Sequence, residues 1–78
     1  MVLKDLIKIL KNQNGESYSN FVLKDFDGNE IIAEKLLYRD YLEMKEWSVA
    51  QLVVDERGHA EITLNSGNFK DFGFTNVI

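Results

Sequence analysis

Residues 47–65, WSVAQLVVDERGHAEITLN, decide the fold. Two apolar runs flank Glu56-Arg57-Gly58, and a glycine at the third loop position suits a type I turn followed by a G1 bulge, because that position is left-handed. The stretch therefore predicts a β-hairpin in which Asp55 pairs with His59. This register places three apolar pairs on one face, which can then receive a helix: Ala50 with Leu64, Leu52 with Ile62, and Val54 with Ala60.

The opposite face of the same hairpin is also apolar, which is unusual for a face in water. It would carry Trp47, the only tryptophan, in one row with Gln51. We expect the aromatic tail, residues 66–78, to fold over this face, and the alternative is contact with a second copy of the chain. Self-association would then use the apolar residues of the strand and the tail: Val49, Val53, Phe69, Phe72 and Phe74.

A second hairpin is predicted upstream, over residues 18–36. Apolar and polar residues alternate on both sides of Asp27-Gly28, a two-residue turn signal. This turn would place Leu23 opposite Ile32. It would also oppose two carboxylates, and such a like-charge pair can shift the register by one residue. The two carboxylates are those of Asp25 and Glu30.

Helices are predicted before the first hairpin and between the two hairpins. Leucine and isoleucine recur at helical spacing in residues 2–12, so this segment is an amphipathic helix that must pack on the rest of the chain. Residues 37–46 mix apolar and charged residues and predict a short helical crossover. We therefore expect a single α+β domain over residues 1–78: an N-terminal helix packed on an antiparallel sheet of about four strands.

The composition limits the classes of function. The chain has 78 residues, no cysteine, no proline and a net charge of −4. A disulfide framework and a thiolate zinc site are therefore excluded. The acidic balance argues against direct binding of nucleic acid or of an anionic membrane, since both modes need basic patches. With no apolar run of membrane-spanning length and no signal-peptide pattern, we expect a cytoplasmic protein.

Two features suggest metal binding or catalysis, and in both cases required residues are missing. Residues 25–29, DFDGN, begin like an EF-hand calcium loop, but Glu30 replaces the required glycine and Leu36 replaces the final carboxylate. The turn interpretation, with solvated carboxylates, is favoured. His59 has Glu61 on the same strand face, yet no motif supplies a nucleophile. We expect no enzymatic activity, no bound metal and no cofactor.

Charge is concentrated in the middle of the chain. Between residues 25 and 61 there are ten acidic and four basic residues, a balance of −6. Such a surface can steer a protein onto a basic partner, although plain solubility charge is the alternative. The protein-binding surface that we predict combines carboxylates with aromatic residues in and beside the crossover: Tyr38, Asp40, Tyr41, Glu43, Glu46 and Trp47.

The layout resembles a group of small phage proteins. A helix beginning LKDLIKIL at Leu3, a hairpin around Asp27-Gly28, a short crossover and the hairpin turning at Gly58 are similar to proteins encoded by phages and prophages of Gram-positive bacteria. The resemblance covers about the first 65 residues. Some small acidic phage proteins of comparable size, including anti-CRISPR proteins, inhibit host defence nucleases, so the resemblance implies a protein-binding inhibitor of a host nucleic-acid-targeting defence enzyme. The alternative is a small structural or assembly protein that self-associates through its sheet face and aromatic tail.

Overall fold

The computed structural model describes residues 1–14, 21–65 and 67–78. In these ranges the chain forms two α-helices, a short 3-10 turn and a four-stranded sheet. The elements are α1 (Leu3–Asn14), β1 (Phe21–Lys24), β2 (Glu30–Ile32), the 3-10 turn (Ala33–Lys35), α2 (Tyr38–Met44), β3 (Val49–Val54) and β4 (Ala60–Leu64). The strand order is β2-β1-β4-β3.

The predicted α+β class is confirmed, with an N-terminal helix, two hairpins and a short helix between them. The prediction of a fully antiparallel sheet is wrong, because β1 and β4 pair in parallel at the centre. The crossover through α2 takes the chain from β2, at one edge of the sheet, to β3, at the other edge. Strand β3 begins at the same end of the sheet as β2. As a result β3 runs in the direction of β2, and β4 runs in the direction of β1.

The register of the second hairpin is confirmed near its turn and wrong at its open end. Leu52 lies opposite Ile62 and Val54 opposite Ala60, as predicted, but Val49 and not Ala50 lies opposite Leu64. The shift falls between Val49 and Gln51, where a bulge adds one residue to β3. Because side chains alternate along a strand, one extra residue turns Trp47 and Val49 onto the core side of the sheet, where both pack.

The prediction that the first helix covers the Ala50, Leu52, Val54 face is also wrong. Strand β3 is an edge strand, and all three of these side chains are exposed. The core lies instead over β1 and β4, the two central strands. It contains Leu3, Leu6, Leu10, Phe21, Leu23, Ile31, Met44, Ala60, Ile62, Leu64 and Phe69.

The first hairpin is shifted by one residue from the predicted register. Leu23 pairs with Ile31 instead of Ile32, so Asp25 leaves the ladder and no longer opposes Glu30. Strand β2 ends at Ile32 and gives way to the 3-10 turn, so the prediction of a strand continuing to residue 36 is wrong. The predicted strand residues 18–20 and the tail residue at position 66 lie outside the described residues.

Candidate protein-binding surface

Each hairpin has its own five-residue loop, and the two loops have the same hydrogen-bond pattern. Each begins with an aspartate. In residues 25–29 the Asp25 Oδ1 atom accepts hydrogen bonds from the backbone N–H groups of Asp27 (2.9 Å) and Asn29 (2.8 Å). In residues 55–59 the Oδ1 atom of Asp55 accepts the equivalent bonds at 2.8 and 2.9 Å. An aspartate side chain that bonds to its own turn in this way fixes the loop conformation.

Asp25 differs from Asp55 because it is buried and makes further contacts. Its Oδ2 atom accepts hydrogen bonds from Asn29 Nδ2 (2.8 Å) and from the backbone N–H of Phe69 (2.9 Å), 44 residues away. Burial alone would raise the pKa of Asp25, but the bonds from Phe69, Asn29 and Asp27 hold it below its ordinary value. The expectation of a solvated turn carboxylate is therefore wrong at this position.

Asp40 is a second buried carboxylate that anchors the same part of the chain. Its Oδ2 atom accepts a hydrogen bond from the backbone N–H of Thr75 at 3.0 Å, and Arg39 Nη2 donates to the Thr75 hydroxyl at 3.0 Å. The sequence predicted that Asp40 contacts a partner, but in the structure Asp40 is buried and binds the chain's own Thr75. Together with Asp25 it holds residues 67–78, which we call the C-terminal segment.

The C-terminal segment brings three phenylalanines onto Trp47. The ring centroids of Phe69, Phe72 and Phe74 lie 6.4, 4.8 and 5.7 Å from that of Trp47, and we call these four side chains the aromatic cluster. Phe69 is fully buried and Phe74 half-buried, whereas part of Phe72 remains exposed. Three of the residues predicted for self-association therefore pack inside the chain: Val49, Phe69 and Phe74.

The low pKa of Asp25 predicts loss of stability in acid. The folded-state pKa lies below the unfolded value of about 3.9, so this carboxylate contributes its full stabilisation above roughly pH 5 and loses it as pH falls through the folded pKa. Urea unfolding measured from neutral to acidic pH should show this loss. The Asp25→Ala variant should show a flatter pH dependence, and the same pH dependence in both proteins would contradict the assignment.

The outward side of α2 is an exposed, mixed surface. Tyr38 and Leu42 are spaced by four residues, so they share one side of the helix, and they are 73% and 43% exposed. Arg39 and Glu43, with the same spacing, lie beside them and are also exposed. We call these four residues the α2 outer face. The inward side carries Asp40 and Met44, both buried.

The structure places the six predicted binding residues in different environments. Tyr38 and Glu43 lie on the α2 outer face, and Tyr41 is half-buried with its ring centroid 6.5 Å from that of Tyr38. Glu46 is exposed, but Lys4 Nζ lies 2.6 Å from its Oε1 atom, and this hydrogen bond lowers the pKa of Glu46. Arg39 and Leu42 were missed, although their four-residue spacing from Glu43 and Tyr38 is a readable signal.

His59 and Glu61, which were considered for chemistry, line a depression of about 150 Å³ at the second turn, together with Asp55. Its carboxylates are already engaged, since Asp55 bonds to its own turn and Glu61 pairs with Lys24. In the described ranges no three histidine or carboxylate side chains lie close enough to hold a metal ion. None of the helices described is both long and apolar enough to cross a membrane.

Comparison with known proteins assigns no family to this chain. No protein family model, no curated protein and no solved structure matches it. A proposed function must therefore be supported by the chain's own exposed side chains and by the elements that hold them.

Proposed function

We propose that this protein is a non-catalytic module that binds another protein through the α2 outer face. The observation that carries the proposal is the exposure of Tyr38 and Leu42 side by side on a helix that is otherwise well anchored. Tyrosine and arginine are frequent among the few residues that dominate interface energies, and the α2 outer face presents one of each. Leu42 would supply the adjoining apolar contact.

The attachment of α2 supports a binding role because it limits the entropy lost on association. Met44 is buried in the core beneath the helix, and Asp40 ties it to the C-terminal segment through Thr75. The backbone N–H of Trp47 also donates to Met44 O at 2.9 Å just after the helix. A surface that is already ordered before binding loses less conformational freedom, so more of its contact energy contributes to affinity.

The partner class that we propose is a host nucleic-acid-targeting defence enzyme in the cytoplasm of a bacterial cell. Such enzymes carry basic grooves. Between residues 25 and 61 eight of the ten carboxylates are not buried, against four basic residues, and this acidic excess complements such a groove. Glu43 on the α2 outer face and Glu34 just before the helix are exposed acidic groups in that range. The resemblance of the layout to small phage proteins, some of which inhibit such enzymes, favours the same partner class.

Substitution of Tyr38 tests this proposal. Tyr38→Ala should weaken inhibition of a purified DNA-cleaving defence nuclease from a Gram-positive host by more than about tenfold, because truncating an interface hot spot costs about 2 kcal/mol or more. The free energy of unfolding should change by less than about 0.5 kcal/mol, since Tyr38 is mostly exposed.

Phe26→Ala is the matched control for this experiment. Phe26 is an aromatic side chain of similar exposure on the turn between β1 and β2, away from the α2 outer face. Its removal should leave inhibition unchanged. The proposal fails if the protein inhibits no such nuclease, or if the two variants lose inhibition equally.

A further inference from the structure

Strand β3 lies at one edge of the sheet, and most of its outer side is free in the described ranges. This edge is independent of the α2 outer face and of the proposed function. The N-terminal residues occupy only its beginning: Leu3 N donates to Trp47 O at 2.9 Å, and Val49 N donates to Met1 O at 2.8 Å. In the ranges that the structure describes, no other segment forms backbone hydrogen bonds to the outer side of residues 50–54. At the opposite edge, Ile78 N donates to Glu30 O of β2 at 2.9 Å.

The direction of the free backbone groups follows from the ladder. Asp55 N donates to His59 O, so this pair and every second pair beyond it exchange hydrogen bonds within the hairpin. The N–H and C=O groups of Leu52 and Val54 therefore point away from β4, towards the free edge. Unpaired groups of this kind are a template for another extended strand, so the chemistry of the edge specifies a strand as its occupant.

The side chains of residues 50–54 favour pairing of this edge with another strand and do not block it. Leu52, Val53 and Val54 are 38%, 49% and 45% exposed, and residues 50–54 contain neither a charged residue nor a proline. Protected edge strands usually carry an inward charge, a proline, a bulge or a covering loop, and in β3 the bulge, at Ala50, lies at the beginning of this stretch. Here Asp55 and Glu56 appear only in the turn, beyond the end of the strand.

We propose that β3 pairs with β3 of a second copy, antiparallel and about a two-fold axis at Leu52, whose backbone N–H and C=O groups point towards the free edge. Leu52 then lies opposite Leu52 of the second copy, and their outward backbone groups bond to each other. Gln51 lies opposite Val53, and the regular pairing ends at the bulge at Ala50, next to which Met1 already bonds to Val49. The two four-stranded sheets become one continuous sheet, and three exposed apolar side chains of each copy gain neighbours.

A second copy suits this edge because the paired stretch is uncharged in both chains. Two-fold pairing at Leu52 opposes no carboxylates, so two chains of net charge −4 meet without a local like-charge contact. A single strand edge buries less than the roughly 800 Å² per partner of a standard interface, so the dimer is weak and concentration-dependent. The α2 outer face takes no part in this pairing.

Sedimentation of the whole chain tests the dimer. The weight-average mass should rise from monomer towards dimer as the concentration increases from micromolar to millimolar. Leu52→Lys should stay monomeric over the same range, because it opposes two lysines at the axis, while Phe26→Lys, with the same change of charge on the other hairpin, should associate like the parent. A parent chain that remains monomeric throughout, or a Leu52→Lys variant that still dimerises, would overturn the proposal.

Cross-linking keeps the proposal testable if the lysine variant does not fold. The chain has no cysteine, so Leu52→Cys and Phe26→Cys each carry one thiol. Opposed residues of a hydrogen-bonded antiparallel pair have Cα atoms about 5.5 Å apart, within the range of a disulfide. Under mild oxidation Leu52→Cys should form disulfide dimers at least tenfold faster than Phe26→Cys. Equal rates would overturn the proposed register.

Discussion

Replacing Asp25 by alanine should lower the free energy of unfolding by about 3 kcal/mol, because a buried hydrogen-bond partner of four donors is lost. Two of these donors are the turn amides of Asp27 and Asn29, a third is the Asn29 side chain, and the fourth is the backbone N–H of Phe69. The Phe69 amide is the costliest to lose, since it is buried and the alanine methyl group cannot accept its hydrogen bond. Urea unfolding followed by the fluorescence of Trp47, the only tryptophan, measures the change.

Asp55→Ala is the matched control, because Asp55 occupies the same place in the same kind of turn. It is exposed, and within the described ranges its side chain accepts only the two turn bonds, so its loss should cost about 1 kcal/mol. The difference between the two variants measures the attachment of the C-terminal segment. Equal destabilisation would show that Asp25 stabilises only its own turn.

The second large effect is expected at Gly67. Its φ is +75°, and a Cβ atom there would lie 2.8 Å from Phe72 Cε2 and 3.0 Å from Trp47 Cη2. Gly67→Ala should therefore combine backbone strain with displacement of two packed rings, and we expect a loss of about 3 kcal/mol in the free energy of unfolding. Thermal unfolding measures the loss, and near-ultraviolet circular dichroism reports any change in the packing of Trp47.

Gly73→Ala separates the two contributions to this loss. Gly73 has a similar φ of +68°, but a Cβ atom there would meet nothing within 4 Å. Its replacement should cost about 1 kcal/mol, from backbone strain alone. If Gly67→Ala is no more destabilising than Gly73→Ala, Trp47 and Phe72 do not pack against residue 67 as described.

The parts of the fold that depend on local pattern could be predicted from the sequence. The turn residues and the alternation around them placed Leu52 against Ile62 and Val54 against Ala60. The bulge at Ala50 could not be predicted, because a small uncharged residue in a strand is compatible with either register. That single extra residue explains how Trp47 and Val49, expected on the far face, come to lie on the core side.

The candidate site was predicted where it depends on one helix and missed where it depends on distant segments. Tyr38 and Glu43 are exposed on α2, a helix that the crossover pattern predicts. The burial of Asp25 and Asp40 could not be predicted, because the amides that they bind are 44 and 35 residues away in the C-terminal segment. Carboxylates with charged neighbours in the sequence are normally predicted to lie on the surface, and only the position of the C-terminal segment shows that these two are buried.

Hydrogen exchange of two backbone amides tests the central claim most directly: that buried carboxylates hold the C-terminal segment against the sheet and α2. The account predicts that the amides of Phe69 and Thr75 are protected, with Phe69 approaching the protection of the β4 amides, because each donates to an aspartate shielded from water. Exchange of both amides at the rate of an unstructured chain, while the β4 amides stay protected, would contradict it.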